Sequence, residues 1–131
     1  MRFTLDEWML RLYQCRYDEP DYPVLADRCR ELIWATAQQV LWTGVDVVLD
    51  WNLWNRSRRQ IWRDKVESAG HHPVLHYLPA PLETAIERAE QRARETVPHA
   101  HVLDAAAVRH LADLFEPPDS SEGMEIRVVQ Q

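Results

Sequence analysis

The chain has 131 residues and a mass of 15.5 kDa, enough for one domain with a buried core. Apolar residues make up 46% of it and charged residues 27%, a composition that excludes a disordered protein. The formal net charge of −6 disfavours bulk nucleic-acid binding, because an acidic protein repels the phosphate backbone. The three glycines and the single lysine, Lys65, form neither a GxxxxGK(S/T) phosphate loop nor a GxGxxG dinucleotide turn.

The cysteines and the hydropathy pattern bear on location. Cys15 and Cys29 form no CxxC pair, and no signal-peptide pattern precedes them. The apolar runs are far shorter than a membrane span. We therefore expect a cytoplasmic protein that does not bind membranes and has two free thiols. A disulfide between the two cysteines is the less favoured alternative.

The first half of the sequence predicts two strands and two helices. In chain order these are a strand at 2–4, a helix that begins at 4–7 and fades before 17, a helix over 24–42 and a strand over 45–50. Thr4 and Glu7 have the spacing of a capping box, and Gly44 is suited to follow a helix. The β-branched run that ends at Asp50 favours a buried parallel strand.

The second half continues the alternation with three helices and two strands. In chain order these are a helix marked by apolar residues over 61–69, a buried strand over 74–78, a helix with Pro81 at its first position, a helix capped by Asp104 and a strand over 126–129. Leu103 and Val108 flank the Asp104 cap with the spacing of a hydrophobic staple. Strands that alternate with helices in this way predict an α/β fold with a parallel sheet, in a single domain over residues 1–131.

Two aspartates lie at the carboxyl ends of predicted strands, where parallel sheets bind their ligands. Asp6 falls in the first turn of a helix, so it either stabilises the helix N-terminus or acts as a general base toward an attacking hydroxyl. Asp50 ends its strand, where a carboxylate needs a metal-bound water, a substrate hydroxyl or an arginine as partner. Its structural alternatives are a helix cap or an ion pair with Arg58 or Arg59.

Arginines and aromatic residues supply further candidates. Arg88 and Arg92 share a helix face with no acidic residue four positions before either, which suits an opposing anion but is also typical of a solvated surface. The segment after Asp50 supplies the candidate substrate-binding residues, which are Trp51, Asn52, Trp54, Arg58 and Arg59. The histidines, including His71-His72 and His99-x-His101, match no zinc motif, so we expect no metal site. A zinc-dependent hydrolase is the least favoured alternative.

Four segments in this order carry a resemblance to a known family: 3–9, 44–59, 76–92 and 115–123. They resemble the small P-loop ATPases classed as AAA-type ATP-binding proteins or predicted kinases. The relatives of that family are polynucleotide 5′-hydroxyl kinases, chloramphenicol phosphotransferases and zeta toxins. The resemblance implies a three-layer parallel sheet flanked by helices. It also implies transfer of a phosphoryl group from ATP, with Mg²⁺, to a small hydroxyl acceptor.

The resemblance assigns roles to single residues as well. Asp6 matches the base toward the phosphoryl acceptor, and Asp50 matches an acidic residue near acceptor and metal. Arg88 and Arg92 match lid arginines that contact ATP phosphates and stabilise charge during transfer. Met9 stands where the polynucleotide kinases have an arginine, which disfavours a nucleic-acid acceptor.

One departure from the family pattern shapes the functional hypothesis. Family members have a strand, the GxxxxGK(S/T) loop and a helix ahead of the position of Thr4. We expect this chain to lack that central strand, phosphate loop and first helix, through a misassigned start or as a degenerate remnant. We therefore expect doubtful ATP binding and no appreciable kinase activity from this chain alone. The rival hypothesis is a non-enzymatic module that completes its sheet with a partner strand or by homodimerisation.

Overall fold

A computed structural model describes residues 1–95 and 101–130 of the chain. Its described residues form two compact units: residues 1–52 with 101–102 make up the first unit, and residues 53–95 with 103–130 the second. The single domain expected over residues 1–131 stays a prediction. Both units combine helices with short parallel strands, which confirms the predicted α/β class.

The first unit is built from two strands and two helices. These are β1 (Arg2–Thr4), α1 (Leu5–Leu12), α2 (Tyr22–Leu41) and β2 (Val48–Asp50). β1 and β2 pair in parallel, with Thr4 in register with Asp50. Helix α1 packs against α2 over side chains that are almost fully buried, among them Leu5, Met9 and Ile33. This packing fixes the position at which α1 leaves the end of β1.

Two expectations for the first unit were wrong. The Thr4 side chain makes no cap hydrogen bond; its hydroxyl instead donates to Asp50 Oδ2 at 3.4 Å, because Thr4 is the last residue of β1 and lies opposite Asp50. Strand β2 spans three residues and is not buried, with Val48 55% exposed. Because β2 has one neighbouring strand among the described residues, few side chains are available to cover it. The described α2 also begins earlier than predicted, at Tyr22, with Pro23 in its first turn.

The second unit contains three helices, two strands and a short 3-10 turn. These are α3 (Arg56–Ser68), β3 (Val74–Tyr77), α4 (Leu82–Glu95), α5 (Ala105–Leu114), the turn Ser120–Glu122 and β4 (Glu125–Val128). β3 and β4 pair in parallel. Helices α4 and α5 pack together through Ile86, Ala89 and Val108.

In the second unit, the predicted helix cap at Asp104 is confirmed, whereas the predicted position of Pro81 and the predicted burial of β3 are wrong. Asp104 caps α5 by accepting a hydrogen bond from the Ala107 amide at 2.7 Å, and Leu103 packs in the same cluster as Val108. Pro81 lies just before α4, where its carbonyl accepts from the Ala85 amide, and is not the first helical residue. Strand β3 is only half-buried.

Two features of the whole described chain complete the fold. Cys15 and Cys29 are both buried and both free, as expected. Within residues 1–95 and 101–130, no helix combines the length and the apolar character needed to span a bilayer.

Candidate functional site

Asp6 and Asp50 both belong to the first unit and lie at the carboxyl end of its strand pair. Asp50 ends β2, and Asp6 follows two residues after Thr4, which is the residue opposite Asp50. Each aspartate side chain is about half exposed, 47% for Asp6 and 50% for Asp50. The two carboxylates are therefore accessible at the end of the ladder where parallel strands present their ligands.

The partners of Asp50 are polar groups of β1. Thr4 Oγ1 donates to Asp50 Oδ2 at 3.4 Å, and Arg2 Nη1 lies 3.8 Å from the same oxygen. The Arg2 side chain is 65% exposed, so this pair is loosely held and contributes little to stability. Such contacts leave the carboxylate able to exchange a protein partner for a ligand.

Asp6 lies beside His101, a largely buried histidine that the sequence analysis assigned to no site. His101 Nε2 lies 3.7 Å from Asp6 Oδ1, and the His101 side chain is only 9% exposed. The rings of Tyr17 and Tyr22 contact the imidazole edge-on, at centroid distances of 5.7 and 5.9 Å. Burial, and next the nearby negative charge of Asp6, raise the pKa of Tyr22. No local pattern connects residues so far apart in the chain, and His99 lies outside the described residues.

Arg88 and Arg92 line one surface cleft of the second unit. The cleft has a volume of about 620 Å³, and Ala80, Ala85 and Gln91 complete its lining. Both arginines are exposed on α4, as their spacing predicts, and Arg92 Nε donates to the Arg88 carbonyl at 3.4 Å. Two guanidinium groups in a partly enclosed cleft suit an anion such as a phosphate group.

The candidate substrate-binding residues after Asp50 have different environments. Trp51 and Asn52, in the first unit, are half-buried. In the second unit, Arg58 lies over the ring of Trp54, with its Cζ 6.0 Å from the ring centroid. Both of these side chains are also half-buried, which leaves part of each surface available to a ligand.

Arg59 is held in a buried ion pair with Glu122. Its Nε and Nη2 donate to the two carboxylate oxygens at 2.8 and 2.7 Å, and its Nη1 donates to the Leu53 carbonyl at 2.9 Å. Each of the paired side chains is 1% exposed. We therefore correct the expected substrate contact of Arg59 to a structural role: the guanidinium is satisfied by protein groups and is not accessible.

A second set of contacts also joins the start of α3 to the segment after α5. The Glu116 amide donates to the Trp54 carbonyl at 2.7 Å, and the Arg56 amide donates to Glu116 Oε2 at 2.6 Å. Arg56 Nη2 donates to the carbonyl and the hydroxyl of Ser121. These bonds hold the loop that contains Trp54 in one position within the second unit.

The described residues provide a surface suited to phosphate groups but no cluster of metal ligands. Among residues 1–95 and 101–130, no group of three or more histidine, cysteine or acidic side chains could hold a metal ion. The cleft with Arg88 and Arg92 fits the charge of phosphate groups. The 131-residue sequence contains no GxxxxGK(S/T) segment to hold the rest of a bound triphosphate.

Comparison with known proteins identifies the family. Residues 1–118 match the model of a family described as an AAA domain, of the P-loop NTPase type that includes kinases. Because the match covers most of the chain, this protein belongs to that family. No curated protein matches the chain. The resemblance found in the sequence is thus confirmed for the family, and its named relatives stay predictions.

Proposed function

We propose that the chain provides the acceptor-binding and lid residues of a P-loop kinase-like domain. The parent reaction would move a phosphoryl group from ATP to a hydroxyl group of a small molecule. The observation that carries the proposal is the placement of Asp6 and Asp50, two half-exposed carboxylates, at the carboxyl end of the parallel pair β1 and β2. Family membership supports the reaction class.

Each candidate residue has a chemical task that its environment permits. Asp6 accepts the proton of the acceptor hydroxyl as the oxygen becomes a nucleophile. Asp50, whose contacts with Thr4 and Arg2 are exposed, accepts a hydrogen bond that orients the acceptor. Arg88 and Arg92 offset the negative charge of phosphate groups in their cleft. ATP would supply the phosphoryl group, and Asp50 is the acidic residue that would lie near its Mg²⁺.

We further propose that these 131 residues alone do not turn over ATP, because they contain no phosphate loop. Isothermal titration calorimetry with Mg·ATP, together with an assay for ADP release, tests this point. We expect no micromolar binding and no turnover. Micromolar binding of Mg·ATP, or turnover of ATP, by the pure protein would show that the inactivity proposal is wrong.

The arginine cleft is tested separately with inorganic tripolyphosphate, followed by phosphorus NMR. We expect weak binding that the Arg88→Gln, Arg92→Gln double variant reduces by about thirtyfold, since two charge-assisted contacts of about 1 kcal/mol each contribute about 2 kcal/mol together. Arg109→Gln changes an exposed arginine of α5 and serves as the control. Equal binding by the double variant and the control would contradict a phosphate role for the cleft.

A non-enzymatic interaction module is the second candidate. Within the described residues, β2 pairs only with β1 and β3 only with β4, so each strand has one unpaired edge. The exposure of Val48 on β2 supports the addition of a further strand there, from a partner or a second copy. Size-exclusion chromatography with light scattering tests the homodimer. A monomer at high concentration would argue against strand exchange between copies.

A further inference from the structure

The outer edge of β4 presents backbone groups to which a further strand can bind. The Val129 amide donates to the Tyr77 carbonyl at 2.8 Å, so the backbone of Val129 faces β3. Because successive residues of a strand direct their N–H and C=O groups to opposite edges, Arg127 also faces β3, whereas Ile126 and Val128 face the other edge. Within the described part of the chain, β4 pairs with β3 alone. The edge formed by Ile126 and Val128 is therefore open to another strand.

The side chains of β4 are largely exposed and carry charges of both signs. The Glu125 and Arg127 side chains are 40% and 61% exposed, and their spacing of two residues places them on the same face of the sheet. Within the chain they form an ion pair, in which Arg127 Nε donates to Glu125 Oε1 at 2.7 Å. Edge charges of one sign repel a second copy of the same strand. Opposite charges two positions apart instead complement a copy that runs in the opposite direction.

We propose that β4 docks against β4 of a second copy of this chain, in antiparallel orientation about a two-fold axis at Ile126. In this register the two copies of Ile126 exchange both of their backbone hydrogen bonds, as their outward-facing groups permit. Glu125 of each copy then lies opposite Arg127 of the other, in a non-hydrogen-bonded pair whose side chains are close together. The two-stranded sheet of β3 and β4 and its copy form one continuous four-stranded sheet.

The other described strands do not complement a copy of themselves in this way. In β2, the same antiparallel arrangement about Leu49 places Val48 opposite Asp50, an apolar side chain opposite a carboxylate. The strands β1 and β3 contain no acidic residue, so they cannot form such ion pairs. The sequence of β4 is therefore the one that favours pairing with itself. This inference does not depend on phosphoryl transfer, and its edge is distinct from that of β2.

Analytical ultracentrifugation of the whole purified chain over a concentration series measures the dimer, and backbone amide hydrogen exchange followed by NMR locates it. We expect a reversible monomer–dimer equilibrium in which protection of the Ile126 amide rises with protein concentration. The Leu49 amide reports on the edge of β2, because the Val48 amide donates to the Met1 carbonyl and Leu49 faces the opposite side. A chain that stays monomeric at millimolar concentration, or a dimer that protects Leu49 and not Ile126, would overturn the proposal.

Charge reversal tests the pairs between the two copies. Glu125→Arg and Arg127→Glu each place like charges opposite one another, twice per dimer because of the symmetry. We expect either variant alone to raise the dissociation constant of the dimer by about tenfold. An equimolar mixture of the two variants restores opposite charges between the chains, although neither chain keeps the ion pair within its own strand. The mixture should therefore form a heterodimer with an affinity close to that of the wild type.

Matched controls reverse the charge of exposed helical side chains. These are Glu90→Arg on α4 and Arg109→Glu on α5, which should dimerise as the wild type does, alone and mixed. Normal dimers of the single β4 variants, or a mixture of them that stays monomeric, would overturn the proposal. If a variant does not fold, the comparison of the Ile126 and Leu49 amides in the wild type decides the matter.

The outcome is separable from that of the proposed function. Binding of tripolyphosphate is expected to depend on Arg88 and Arg92, which lie on α4 and not on β4. If tripolyphosphate binds while the chain stays monomeric, the β4 interface is wrong and the kinase-like proposal stands. If the chain dimerises through Ile126 while tripolyphosphate does not bind, the interface stands and the phosphate role of the cleft is wrong.

Discussion

Each unit contains a pair formed by an acid and a basic side chain far apart in sequence, Arg59–Glu122 in the second unit and Asp6–His101 in the first, and these two pairs differ in burial and in hydrogen bonding. In the second unit, Arg59 and Glu122 are both 1% exposed and joined by two hydrogen bonds of 2.8 Å or less. In the first unit, Asp6 and His101 are 3.7 Å apart, the acid is half exposed and the histidine nitrogen is unsatisfied. The Arg59–Glu122 pair is closed, because its two groups satisfy each other, whereas the Asp6–His101 pair is open, because solvent reaches the acid.

The difference also shows which charged residues are suited to chemistry. The Arg59 guanidinium already donates to Glu122 and to the Leu53 carbonyl. Breaking these buried hydrogen bonds in order to bind a substrate would cost free energy. The cleft arginines, Arg88 and Arg92, are exposed instead. Their positive charge is therefore accessible to an anion.

The largest expected effect is at the closed pair. Arg59→Met leaves the Glu122 carboxylate buried without its partner, and we expect the free energy of unfolding to fall by about 3–5 kcal/mol. Urea denaturation at neutral pH measures it. Arg2→Ala, at the exposed pair with Asp50, is the control and is expected to cost less than about 1 kcal/mol.

A double variant separates loss of the pair from loss of packing. Arg59→Met combined with Glu122→Leu removes both charges, so no buried charge is left without a partner. We expect it to recover most of the stability lost in the single variant. If the single and the double variant are equally unstable, side-chain packing rather than the charge pair explains the loss.

The pH dependence of stability gives the second expected effect. Hydrogen bonds from Arg59 hold the pKa of Glu122 below its ordinary value of 4.5. A carboxylate with a lowered folded-state pKa stabilises the fold fully above the ordinary value, and this contribution is lost as the pH falls through the folded-state pKa. We therefore expect the unfolding free energy of the wild type to decline from about pH 4.5 downward.

Glu122→Gln isolates that contribution in a series of urea denaturation curves between pH 7 and pH 3. The pKa values of Asp119 and Glu125 are lowered too, by hydrogen bonds chiefly from Ser121 and His72 respectively, and both groups remain in the variant. The wild type should lose more stability on acidification than Glu122→Gln does. Parallel curves for the two proteins would contradict a buried, ionised Glu122.

The closed and open pairs also mark the limit of what the sequence predicts. The cap at Asp104 was predictable because the residue and the amide it accepts from are three positions apart, as in other helix caps. The capping box at Thr4 was wrong although its spacing was correct, because the strand pairing places Asp50 opposite Thr4 and the hydroxyl bonds to it instead. Local patterns hold where no tertiary partner competes.

The candidate site likewise has a part that the sequence predicts and a part that it does not. The placement of Asp6 and Asp50 follows from strand order and the rule that parallel strands present ligands at their carboxyl ends. The engagement of Arg59 by Glu122, and of Asp6 by His101, depends on which distant segments the fold brings together. No spacing in the sequence encodes those partners, so the sequence predicts a substrate contact for Arg59 and no role for His101.

The smallest expected effect is a change in the pKa of Tyr22, which sharpens the description of the open pair. Burial raises this pKa above its ordinary value of 10.0, and the charge of Asp6 raises it further, since a phenolate beside a carboxylate is disfavoured. Asp6→Asn should therefore lower the pKa of Tyr22 toward the ordinary value while burial keeps it raised. Proton NMR of the tyrosine rings between pH 8 and pH 12 measures the shift. Glu7→Gln removes a charge of the same sign from the same turn of α1 as Asp6, so it controls for a general change in charge. An unchanged pKa of Tyr22 in Asp6→Asn would mean that Asp6 is directed away from the tyrosines and His101, and the open pair would lose its acid.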